Sequence, residues 1–157
     1  MNRNFKIVFL LLLIVLQILL NRYVDVIKIN IDLLFLVLIY ISIKSTTLKT
    51  ILAACIVGWV TDFFSGGIVG VFGFSRVLSI FLVHEFVRFI DLTKRHFLFL
   101  LISISLSFSN LIANVFFHYI AGHSFTFSFL LYQPLLTAFV GILIVSSPGI
   151  REKLDVY

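Results

Sequence analysis

Asp62 and Arg76 are charged side chains set inside apolar sequence, and they are the natural place to look for chemistry. Asp62 lies in the stretch Gly58-Trp59-Val60-Thr61-Asp62-Phe63-Phe64-Ser65-Gly66-Gly67-Ile68-Val69-Gly70. An aspartate at the centre of a membrane-spanning helix costs about 2.5–3.5 kcal/mol on insertion scales. Nearer a helix end the cost falls, but the carboxylate still requires a partner or water. Ala54, Gly58 and Asp62 recur every four residues and so share one helical face. Ala54 and Gly58 make a small-residue seam that admits another backbone at close range. Gly66 and Gly70 repeat that spacing beyond the helix break at Ser65-Gly66-Gly67. The pattern predicts a packed helix junction that sets Asp62 against Arg76 or a backbone donor, with Asp32 as a rival partner. The plainer alternative is a hairpin whose acidic helix end simply meets water.

A second polar series follows downstream. Ser103, Ser107, Asn110, Asn114 and His118 are spaced by four, three, four and four, so they line one face of a helix. Ser105 and Ser109 lie beside them. Such a seam serves either as interhelical hydrogen bonding, at about 0.6 kcal/mol per bond, or as the lining of a substrate cavity or partner groove. Catalytic and metal-binding patterns are weak. His118 and His123 lack a third ligand. Ser65-Gly66-Gly67 lacks the lysine of a phosphate-binding loop. The single Cys55 cannot form an internal disulfide and reads as a small buried hydrophobe. The expectation is a non-enzymatic protein with no cofactor and no metal.

The elements that position these residues follow from composition. The 157 residues are 61% hydrophobic and only 12% charged, with a mean hydropathy of +1.19. A soluble domain of this size requires a more charged exterior, so the expectation is one all-α integral membrane domain. Spanning takes about 20 apolar residues, with a range near 17–25. Apolar runs place six spans over about 5–20, 31–43, 48–64, 68–89, 97–117 and 128–146. The first resembles a secretory signal but lacks a small-x-small cleavage site, and is expected to remain as a span. Pro134 lies one turn into the last, where neighbouring helices can satisfy the backbone groups it frees. With the N-terminus in the cytoplasm, nine Lys and Arg fall in cytoplasmic segments, Arg22 and Lys28 fall outside, and Arg76 lies within a span. The positive-inside rule therefore puts both termini in the cytoplasm. The net charge of +5 is read as orientation, not as a nucleic-acid footprint.

The motif Ile31-Asp32-Leu33-Leu34, followed about 25 residues later by Gly58-x3-Asp62-x2-Ser65-Gly66-x3-Gly70, resembles the bacterial rod shape-determining protein MreD family. Ile31 stands where that family usually has proline. The resemblance implies a six-helix transmembrane bundle, similar in fold to the substrate-binding subunits of energy-coupling-factor vitamin transporters. It implies a scaffold of the cell-elongation machinery in the bacterial inner membrane. The main partner would be an MreC-like single-span protein, with the cytoskeletal filament and the peptidoglycan synthases as indirect partners. Asp32, Gly58, Asp62, Ser65, Gly66, Gly70, Arg76, Ser103, Ser107, Asn110 and Asn114 are the candidate structural or partner-binding residues. The alternative is a vitamin-binding transporter subunit. Such subunits usually carry an alanine-rich docking patch on the first span, and residues 5–20 contain no alanine.

Overall fold

The computed structural model describes residues 12, 15–17, 31–65, 68–87, 95–122 and 127–145, and the regular structure among them is helical. Leu12, Val15, Leu16 and Gln17 are helical and belong to the first apolar run. Five further helices follow: α1 (Leu33–Lys44), α2 (Thr47–Ser65), α3 (Val71–Val87), α4 (Arg95–Ala121) and α5 (Phe127–Val145).

Their limits have local causes. Asp32 caps α1, its Oδ1 accepting the Phe35 N–H at 2.9 Å. The helix thus starts two residues after the run drawn from hydropathy. It ends at Lys44, whose charge complements the carbonyl end, and Ser45 turns extended. α3 begins at Val71 rather than near residue 68, because Gly70 has φ +99°. That left-handed conformation favours glycine and stands outside a helix. α4 is longer than its apolar run, with 27 residues or about 40 Å of rise. It stops at Gly122, where φ is +66° and the N–H donates to the His118 carbonyl at 3.1 Å.

α1 is apolar on all sides and lies in the middle of the bundle, with Phe35 and Leu38 fully buried. Ile80 of α3, Leu106 of α4 and Ala138 of α5 complete the core around it. α2 and α3 form the tightest pair. A Cβ on Gly58 would lie 2.3 Å from the Gly73 Cα, so the two backbones meet with no room for a side chain. Sequential helices run antiparallel. Consequently α1, α3 and α5 begin at the end of the bundle where α2 and α4 finish. Ring contacts join the start of α3 to the last turns of α4: Phe72 with Phe117 at 5.7 Å, and Phe74 with Phe116 at 5.8 Å.

The outer surface is apolar. Thr47–Phe64 and His96–Ile120 are long and apolar enough to cross a membrane. Leu52, Ile56, Trp59 and Phe63 on α2, and Leu100, Ile104 and Leu111 on α4, point outward. Water does not favour that exterior, whereas lipid accepts it.

Candidate functional site

The polar side chains converge at the end where α1 and α3 begin. Asp62 lies in the last turn of α2 and is almost wholly buried. Ala54, Gly58 and Asp62 are all buried on the face of α2 that meets α3. Asp62 Oδ2 accepts the N–H of Gly70 at 2.9 Å and of Gly73 at 3.1 Å, and Oδ1 accepts the N–H of Phe72 at 2.9 Å. The first turn of any helix leaves amides without intrahelical acceptors. Here a carboxylate from the preceding helix fills that place, and its charge faces the positive end of the α3 dipole. The close approach of Gly58 to Gly73 brings Asp62 within reach of those amides. Seam and carboxylate therefore act as one device.

Arg76, in the second turn of α3, makes its ion pair with Asp32. Nη2 lies 2.5 Å from Asp32 Oδ2, and both side chains are buried. Nη1 donates to Thr61 Oγ1 at 2.6 Å. The guanidinium carbon lies 5.9 Å from the Phe72 ring centre. The question of the Asp62 partner thus resolves to backbone donors, while Asp32 takes the ion pair with Arg76. Depth along the helix explains the division. Asp62 sits beside the first amides of α3, whereas Arg76 lies farther along, level with the start of α1. A buried pair stabilises little in net terms, but removing one member strands the other at about 3–5 kcal/mol.

Asp32 connects more of the chain than sequence spacing indicated. One carboxylate oxygen caps α1 and the other holds Arg76. Its own N–H donates to Thr137 Oγ1 of α5 at 3.1 Å. On either side, Gln17 donates through Nε2 to the Ile31 carbonyl and accepts the Leu33 N–H through Oε1, both at 2.9 Å. The start of α1 is therefore held by the first apolar segment, α3 and α5 together, and Arg76 extends the contact to α2. Thr61, Thr137 and Gln17 escaped the sequence reading of this junction. Gln17 was visible as an amide within an apolar run. Two threonines in apolar helices carry almost no signal, because a hydroxyl there commonly bonds its own helix. Thr61 does so as well, donating to the Val57 carbonyl at 2.9 Å.

The α4 seam faces α5. Asn110 Nδ2 donates to Gln133 Oε1 at 3.0 Å. Ser107 Oγ donates to the Leu130 carbonyl at 3.2 Å. Leu130 is four residues before the fully buried Pro134, whose missing N–H leaves that carbonyl without its helical donor. Ser107 replaces the lost bond from the neighbouring helix. Asn114 Nδ2 and Ser103 Oγ are buried with no hydrogen-bond partner among the described residues. Ser109 Oγ reaches Ser75 Oγ of α3 at 3.4 Å. His118 is exposed and stacks edge-on with Tyr119. Cys55 is half-buried. Of the remaining candidates, Gly70 supplies the turn into α3, Ser65 ends α2, and Gly66 lies outside the described residues.

The site as a whole ties helices together. Its carboxylates face amides and a guanidinium, and two of its amide side chains face each other. In comparisons with known proteins, the family model described as rod shape-determining protein MreD matches residues 2–146. Searches of curated proteins and of solved structures gave no match.

Proposed function

This chain belongs to the rod shape-determining protein MreD family, and on that premise we propose that it is a scaffold of the bacterial cell-elongation machinery. Its role in rod-shape determination comes with the family. The finer reading is that the bundle binds an MreC-like single-span protein in the inner membrane. Through that partner it organises the cytoskeletal filament and the peptidoglycan synthases. It crosses the membrane six times, with both termini in the cytoplasm, as the distribution of Lys and Arg favours.

The observation that carries the scaffold reading is the internal use of the charged side chains. Asp62 is committed to three amides at the entrance to α3, those of Gly70, Phe72 and Gly73, and Asp32 and Arg76 to each other. Charges used in this way hold helices at fixed positions, and a docking platform needs that rigidity. A partner helix would meet the apolar outer surface, where association in lipid is driven by packing and interhelical hydrogen bonds.

Affinity purification of the full chain from native bacterial membranes in mild detergent tests this reading. The expected co-purifying species is an MreC-like protein with one spanning helix. Recovery of ATPase subunits or of a bound vitamin in its place would move the protein to the transporter class.

A further inference from the structure

The described residues on either side of the α2–α3 turn are apolar in composition yet exposed. Between Asp62 and Arg76 the chain carries no charged residue, and both of those side chains are buried. Around the turn, Phe63 is 80% exposed and Val69 76% exposed, with Phe64 and Phe74 each more than half exposed. Phe63 and Phe64 pack edge to face, 5.6 Å between ring centres. In water each exposed aromatic ring leaves a large apolar area unburied.

The amides where the turn enters α3, from Gly70 to Phe74, leave little for water to do. Gly70, Phe72 and Gly73 donate to Asp62. Val71 donates to the Ile68 carbonyl at 3.3 Å, and Phe74 to the Gly70 carbonyl at 2.8 Å. Every N–H from Gly70 to Phe74 therefore has an acceptor within the protein. A helix start in water needs no such provision, since water supplies the acceptors. A helix start in hydrocarbon does need it, because lipid tails offer none.

We propose that the α2–α3 turn is submerged, with Phe63, Phe64, Val69 and Phe74 covered by the acyl chains of the bilayer. Asp62 is then the group that makes submersion possible, as it replaces water for the first turn of α3. This rests on the membrane placement and not on the identity of any protein partner.

The test is spin-label depth measurement on the full-length chain in vesicles of phosphatidylethanolamine and phosphatidylglycerol. Labels go at Phe63→Cys and Val69→Cys on a Cys55→Ala background. Ile104→Cys, outward on the long helix α4, marks lipid, and Thr46→Cys, exposed between Lys44 and Lys49, marks water. All four positions are exposed, so the labels leave the core intact. Collisions with oxygen should exceed those with a water-soluble nickel chelate at 63 and 69, as at 104 and opposite to 46. A nickel-dominated result at 63 and 69 with oxygen dominance kept at 104 would place the turn in water and overturn the proposal. Low collision with both reagents would mean that protein, not lipid, covers the turn, and would overturn it too. Nickel dominance at 104 as well would overturn the membrane placement itself.

Discussion

Replacing Asp62 by asparagine exchanges one carboxylate oxygen for an NH2 group and removes the charge, so it isolates what the carboxylate does. The three amide contacts at 2.9, 2.9 and 3.1 Å are charge-assisted. Each such bond is worth about 1.5–3 kcal/mol, so the three together are worth about 4.5–9 kcal/mol. Against this stands the cost of holding a carboxylate out of water, several kcal/mol per ion. Asp62→Ala should therefore destabilise by a net of about 2–5 kcal/mol, with three amides left open. Asp62→Asn retains one acceptor oxygen. Its best placement keeps that oxygen on Gly70 and Gly73 and turns its NH2 toward the Phe72 N–H, donor against donor. A loss of about 1–3 kcal/mol follows from that one lost bond. Denaturant titration of the detergent-purified chain should rank parent above asparagine above alanine. Amide exchange should quicken at Phe72 in the asparagine variant and at Gly70, Phe72 and Gly73 in the alanine variant, with Phe35 in α1 unchanged. If Asp62→Asn matched the parent in both measurements, the carboxylate would not be the cap of α3.

Gly58→Ala should be among the most damaging single-methyl insertions in the chain. The new Cβ would lie 2.3 Å from the Gly73 Cα, about 1 Å short of ordinary contact at 3.4 Å. A loss of about 1–3 kcal/mol is expected from overpacking, with weaker α2–α3 crosslinking by paired cysteines as the check. Ser107 and Pro134 should be coupled. Ser107→Ala in the parent leaves the Leu130 carbonyl open and should lower stability by about 1 kcal/mol. In a Pro134→Ala background the restored N–H takes that carbonyl, and the serine substitution should become neutral in a double-mutant cycle.

Much of the architecture is legible locally. Apolar runs mark the helices, because a backbone surrounded by lipid must bond to itself. The spacing of Ala54, Gly58 and Asp62 marks a close crossing, since only small residues let two backbones meet. Pro134 marks a carbonyl that a neighbouring helix must satisfy, whereas the identity of its donor, Ser107, comes from the tertiary structure. Helix limits are less legible. Gly70 looks like part of the α2–α3 hairpin, but only its dihedral angle reveals that α3 starts immediately after it.

Partner choice belongs to the tertiary structure. Arg76 had two carboxylates available, Asp62 fourteen residues before it and Asp32 forty-four residues before it. The nearer one in sequence is used elsewhere, because it lies level with the first amides of α3 and Arg76 lies deeper. The bond from the Asp32 N–H to Thr137 spans 105 residues and leaves no trace in periodicity. Spacing along one chain determines which residues share a helical face. Which faces meet, and at what height, depends on how backbones pack, and here that is governed by two glycines in contact.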